Sequence, residues 1–324
     1  MASHGSKTVI YAALAGNALV AATKFAAAAY TGSSAMLSEG VHSVVDTGNQ
    51  ILLLYGLRQS AKPPTPDHPF GFGLRLYFWA FVVAVLIFGL GAGVSIFEGI
   101  AKIRSPHPVE DAWVNYVVLG LGILFEGSVW IVALRAFRSE KGERGWIEAV
   151  RASKDPTVFT VLFEDSAALL GLLAALVGIY LSQALDMPVL DGVASVVIGL
   201  ILGATAAFLA YECQGLLTGE GVAPPVRRSI RAIAAGGAGV ERVNELLTMH
   251  FGPRDVLVAL SLDFNNRMQA ASVEDTVTTI ERGVKRAHPE VTRVFIEAQS
   301  FDAHRRSIER AKKVAASETA GQSV

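Results

Sequence analysis

Through about residue 215 the chain reads as long apolar runs broken by short polar connections, and beyond it as short segments of soluble character. A helix that crosses the hydrocarbon core needs about 20 mostly apolar residues. Six stretches reach that length: 8–30, 34–57, 76–97, 113–134, 156–181 and 189–210. Gly and Pro punctuate the connections, as at Thr31-Gly32 and between Pro63 and Pro69. After a linker at 216–225, with Gly219, Gly221, Pro224 and Pro225, the pattern changes. There 226–234 reads as helix, 240–249 and 256–264 as strands turned by Gly252-Pro253, 273–287 as amphipathic helix and 291–298 as strand. The expected organisation is therefore a six-span transmembrane domain over 1–215, the linker, a soluble domain over 226–304, and a basic helical end with a disordered tail over 305–324.

Composition sharpens the membrane reading. Charged residues make up 18% of the 324, against about a quarter in ordinary soluble proteins, and most of them lie outside the apolar runs. A formal net charge of −1 gives no basic surface for nucleic acid. Cys213 is the only cysteine, which excludes an intrachain disulfide and a cysteine-based zinc site. The first apolar run has no cleavage-site pattern and reads as a retained span rather than a signal peptide.

Lys and Arg in the connections set the orientation. Arg58, Lys62 and Arg75 lie between spans two and three, and Arg135, Arg138, Lys141, Arg144, Arg151 and Lys154 between four and five. The opposite face has only Lys102 and Arg104. Both termini and the soluble domain are expected in the cytoplasm.

Ionisable residues inside spans are costly and mark function. Here they are Lys24, Glu39, His42, Asp46, Glu126, Glu164 and Asp165. His42 and Asp46, in Ser38-Glu-Gly-Val-His-Ser-Val-Val-Asp46, stand one turn apart on one helix face. Imidazole with carboxylate is a half-site for zinc or a similar first-row metal; the alternative is a hydrogen-bonded pair that fixes helix packing. Span five offers the partner, Glu164-Asp165. At about 1.5 Å per residue Asp46 lies roughly 16 Å from the outer end of its span and Asp165 roughly 14 Å from the inner end of its own, so both fall near mid-depth. Adjacent helical residues point about 100° apart, so Glu164 and Asp165 do not both face one partner; Asp165 is the stronger ligand and Glu164 the open fourth, with a polar interhelical contact as its alternative. Lys24 is expected to snorkel to the interface. Glu126 pairs with Lys24, carries a proton or stays neutral, and Asp191 caps or stabilises the start of its helix.

Six spans, His-x-x-x-Asp in span two, an acidic residue in span five and a soluble C-terminal domain together resemble the cation diffusion facilitator family. Tyr30-Thr-Gly-Ser-Ser, Leu37-Ser-Glu-Gly-Val-His-Ser-Val-Val-Asp46, His68-Pro-Phe-Gly-Phe-Gly and Tyr77-Phe78-Trp79 carry the likeness over nearly the whole chain. With Glu164-Asp165 they look most similar to the branch of the ninth vertebrate zinc transporter and its bacterial relatives. The resemblance implies a membrane all-α six-helix bundle with an α/β ferredoxin-like C-terminal domain that dimerises. It implies no enzyme and no catalytic cofactor, but proton-coupled efflux of a divalent metal ion, zinc foremost with manganese, iron or cobalt as alternatives, across a bacterial plasma membrane. His42, Asp46, Asp165 and Glu164 are the implied metal site. The chain departs from the family pattern at Val161, where a His or Asp is usual, and at Phe72, where the loop histidine of a second site would stand. His250, His288 and His304 are scattered without ligand spacing, so the C-terminal domain is expected to dimerise rather than bind metal. Val161 also motivates an alternative, a transport-incompetent member acting as a scaffold or partner subunit.

Overall fold

The structure is a computed structural model that describes residues 4–109, 111–141, 145–146, 149 and 153–321; Arg144 and Arg151 of the basic connection lie outside the described residues. The chain forms two units. One comprises residues 1–68 and 74–217, and the other 69–73 and 218–324.

The first unit contains, among the described residues, six long helices: α1 (His4–Thr31), α2 (Ser34–Ser60), α3 (Leu74–Arg104), α4 (Ala112–Lys141), α5 (Pro156–Ala184) and α6 (Val189–Leu217). Each overruns the apolar stretch read from sequence, because a helix closes its backbone hydrogen bonds whether or not its side chains are apolar. By length and composition α3 to α6 each contain a segment apolar enough to cross a membrane. The helices α1 and α2 match them in length, with 28 and 27 residues, and Glu39, His42, Asp46 and Arg58 dilute the apolarity of α2. Apolar side chains such as Phe97, Leu121, Leu124 and Leu200 are exposed on the outside of the unit, the surface that a bilayer covers.

Small residues let the helices approach. The Gly99 Cα faces Gly192 so closely that a Cβ there would stand 2.7 Å from the Gly192 carbonyl oxygen. That brings α3 against α6 backbone to backbone, the packing that membrane helices favour where no hydrophobic drive exists between them. Within α3, Ile87–Ala92 winds as a π-helix around two glycines. The Trp130 indole N–H donates to Ser166 Oγ at 2.9 Å, tying α4 to α5.

The second unit follows the order α7 (Pro224–Ala235), β1 (Val240–Gly252), β2 (Asp255–Phe264), α8 (Ala270–Ala287), β3 (Val291–Ala298) and α9 (Phe301–Gly321). The sheet order is β1-β2-β3, antiparallel then parallel. Val256, Val258, Leu260 and Leu262 alternate inward and meet Ile230 and Ala234 of α7 and Ile280 and Val284 of α8 in one core. This is the expected α/β sandwich of ferredoxin-like type. The opposite face of the sheet leaves Leu247 and Phe295 exposed, and both stand in register with Ala259. The C-terminal stretch expected to be disordered is helical to Gly321; its Ala, Lys, Arg and Glu residues are strong helix formers.

Candidate metal centre

The centre is built on α2. The helix starts where the Ser33 hydroxyl accepts from the Met36 amide at 3.1 Å, and runs unbroken past His42, Asp46 and Asn49, which share one face at i, i+4 and i+7. His42 Nε2 stands 3.4 Å from Asp46 Oδ2, with the imidazole almost fully buried. Both His42 nitrogens, Asp46 Oδ1 and Asp165 Oδ2 are buried without a hydrogen-bond partner. A neutral imidazole carries its proton on one nitrogen and a lone pair on the other, so His42 offers one atom, and Asp46 and Asp165 one oxygen each, of the kind that binds zinc and similar ions; an unsatisfied buried polar group is costly to keep.

Asp46 of α2 and Asp165 of α5 line one cavity of about 70 Å³ together with Ser43, Gln50, Asn17 and Glu126, with room for an ion or a few waters. Its α1–α2 edge is closed by the Asn17 amide, which donates to Gln50 Oε1 at 3.2 Å. The common depth expected for Asp46 and Asp165 agrees with this shared cavity. Glu126 of α4 is a third carboxylate on it.

Glu164 is oriented otherwise. Its Oε1 accepts from Asn49 Nδ2 at 2.5 Å, in a fully buried contact between α2 and α5. Helix geometry turns Glu164 about 100° from Asp165, and Asn49 occupies the face it turns to. This is the polar interhelical contact weighed as its alternative. Among the described residues no three His, Cys, Asp or Glu side chains converge closely enough to hold a metal ion, so the four expected ligands are not gathered in a single shell. Val161, half-buried on α5, offers no donor atom.

Two expectations need correction. Lys24 does not snorkel: it is 0% exposed, and its ammonium donates to Glu39 Oε2 at 3.2 Å and Ser43 Oγ at 2.8 Å. A buried lysine needs a counter-charge, and Glu39 on the facing helix supplies one. Asp191 caps a helix, but not its own. It accepts from Ser33 Oγ at 2.7 Å, Ser34 N at 2.8 Å and Ser34 Oγ at 3.0 Å, so it holds the start of α2, and Lys102 lies 3.8 Å away. Asn49, Ser43, Gln50 and Asn17 went unnoticed in the sequence; for Asn49 the signal was its place on the His42–Asp46 face. In the second unit, His288 is within 2.9 Å of Ser229 Oγ and 3.6 Å of Glu290 Oε1, and His304 within 3.0 Å of Gln299 Oε1.

Comparison with known proteins agrees with this architecture. Residues 10–217, more than half of the chain, match the cation efflux transmembrane domain. The chain belongs to the cation efflux, or cation diffusion facilitator, family. It is 33% identical over 270 residues to the Xenopus laevis protein named proton-coupled zinc antiporter SLC30A9, mitochondrial, a match that covers 83% of this chain and 48% of that one. Against the Homo sapiens protein of the same name it is 30% identical over 310 residues, 95% of this chain and 51% of that one. The cation-efflux pump FieF of Shewanella oneidensis is 25% identical over 250 residues, 76% of this chain and 79% of its own. This cation efflux family member thus spans about half the length of the SLC30A9 proteins it matches. The names of these relatives are those of transporters, not enzymes.

Proposed function

We propose that this chain exports a divalent metal cation, zinc foremost, from the cytosol in exchange for protons. His42, Asp46 and Asp165 are its ligands; Glu164 joins them only by giving up its bond to Asn49. The observation that carries this reading is the cavity that Asp46 and Asp165 share from two different helices, with the His42 imidazole 3.4 Å from Asp46. An imidazole and two carboxylates suit zinc, and an oxygen-rich remainder admits manganese or iron. Such ligands bind metal only when deprotonated, so loading the cavity releases protons and a proton gradient drives export. Relatives named as zinc antiporters support the cargo and the exchange.

The basic connections carrying Arg58, Lys62, Arg75, Arg135 and Arg138 place both termini in the cytosol under the positive-inside rule. In a bacterium the membrane is then the plasma membrane, whereas the relatives in Xenopus laevis and Homo sapiens are named as mitochondrial. The apolar row of Leu247, Ala259 and Phe295 across the open sheet face suits a second copy of the chain, making the working unit a homodimer.

Zinc flux into proteoliposomes under an imposed proton gradient tests the proposal. Flux by wild type that disappears in Asp46→Ala and in Asp165→Ala agrees with it, and flux retained by both variants removes the site. Val161 and the unconverged ligands keep one second reading in view, a non-transporting scaffold. Calorimetric titration of the full chain separates the two, because a scaffold takes up no zinc that depends on Asp46.

A further inference from the structure

The metal cavity takes a carboxylate from each of three helices: Asp46 from α2, Asp165 from α5 and Glu126 from α4. Phe125, Glu126 and Val129 form the α4 part of its wall, and of these only Glu126 carries side-chain oxygens. Packing fixes that face of α4. One turn along the helix from Glu126, the Trp130 indole N–H donates to Ser166 Oγ at 2.9 Å, and Ser166 follows Asp165 directly in the chain. Gly127, next to Glu126, is bare towards α5, where a Cβ would stand 4.0 Å from Leu169 Cδ2. The stretch of α4 that carries Glu126 thus lies against the stretch of α5 that carries Asp165.

Glu126 is half-buried, and among the described residues no hydrogen bond or ion pair holds its carboxylate. Lys24 of α1 is already engaged by Glu39 and Ser43, at 3.2 and 2.8 Å. A carboxylate inside a membrane bundle is costly unless a cation offsets it. The two other positions open to a fourth ligand are poorly suited. Val161 has no donor atom, and Glu164 commits Oε1 to Asn49 Nδ2 at 2.5 Å in a contact between α2 and α5. Glu164 is also absent from the cavity wall, which Glu126 lines.

We propose that Glu126 is the fourth protein ligand of the exported ion, which is then held by α2, α4 and α5 together. Three carboxylates on one cavity repel one another, in keeping with their standing around it rather than converging. A dication between them offsets the repulsion, and the long, flexible Glu126 side chain closes on it from α4. One imidazole with three carboxylates makes an oxygen-rich set, which raises manganese relative to zinc. The inference rests on the proposed function for the presence of the ion, and adds the helix from which its last ligand comes.

Calorimetric titration of the purified full chain with zinc and, separately, with manganese tests the assignment. Glu126→Gln should keep the wild-type Tm in metal-free buffer, because no hydrogen bond is lost. It should bind zinc at least about tenfold more weakly, since even an outer partner of a metal ligand is worth that much. Manganese should lose more than zinc, because the missing ligand is an oxygen. Glu126→Asp keeps the charge but draws it back by one methylene; it should also weaken zinc, and serves if Glu126→Gln does not fold. Unchanged affinity for both ions in the folded variants overturns the assignment. An equal loss for both ions together with a lower Tm overturns it too, because that marks a carboxylate serving packing. Loss in Glu164→Gln beside none in Glu126→Gln gives the fourth position to Glu164 instead. Wild-type zinc uptake that does not depend on Asp46 removes the metal centre of the proposed function and this ligand with it, whereas uptake that needs Asp46 but not Glu126 removes this ligand alone.

Discussion

Asp191→Ala is the substitution whose cost can be reasoned most completely. The carboxylate is 0% exposed and receives three hydrogen bonds from Ser33 and Ser34, at 2.7 to 3.0 Å. Lys102, itself almost fully buried, keeps only its bond to the Gly32 carbonyl oxygen at 2.7 Å once Asp191 is gone. Removing one partner of a buried pair costs about 3–5 kcal/mol, mostly for the charge left stranded. For a unit of this size that corresponds to a fall in Tm of about 6–20 °C. Thermal unfolding of the purified protein in detergent, followed by intrinsic tryptophan fluorescence, reads the shift. If stranded charge is the cause, adding Lys102→Met to Asp191→Ala should return at least about half of the loss. A fall of less than about 2 °C in Asp191→Ala, smaller than 1 kcal/mol would give, refutes the reasoning. So does a double variant that is less stable than the single one. The consequence reaches the metal centre, because Ser33 and Ser34 begin the helix that carries His42 and Asp46.

Glu164→Gln keeps an acceptor for Asn49 and should retain zinc flux, whereas Asn49→Leu strands a buried carboxylate and should lower stability by about 1.5–3 kcal/mol in the same melting assay. Zinc affinity measured by calorimetry should weaken as pH falls from 8 to 6, by about tenfold per pH unit for each proton displaced, because protons compete for the ligands; affinity independent of pH would separate binding from proton release. Phe295→Asp places a charge on the exposed row with Leu247 and should shift the full-length protein from dimer to monomer in light scattering, with its Tm unchanged.

The helices and strands were legible in the sequence because their signals are local. A run of about 20 apolar residues has few other fates, and the alternation of Val256, Val258, Leu260 and Leu262 sets an inward strand face. That Asp46 and Asp165 stand at one level was legible too, since helical rise converts residue count to distance along the axis. What one sequence does not contain is the rotation of each helix about its axis. Lys24 was therefore sent to the interface, whereas α1 turns it inward to Glu39. Glu164 and Asp165 share a depth, and only the rotation of α5 decides that the first meets Asn49 and the second the cavity. Asp191 was read as a cap from its place in the first turn of α6. That the capped helix is α2 depends on a contact 157 positions away in sequence. The π-helical turn at Ile87–Ala92 had no signal, because glycines in an apolar run loosen a helix without dictating its winding.

The central claim is that one cavity between α2 and α5 carries the exported ion. Anomalous diffraction at the zinc edge from zinc-loaded crystals of the full chain tests it most directly. The account predicts one strong peak at about 2.0–2.2 Å from a His42 nitrogen and from carboxylate oxygens of Asp46 and Asp165, lost in Asp165→Ala. A protein that transports zinc yet shows its peak elsewhere in the bundle, or keeps it in Asp165→Ala, contradicts the account.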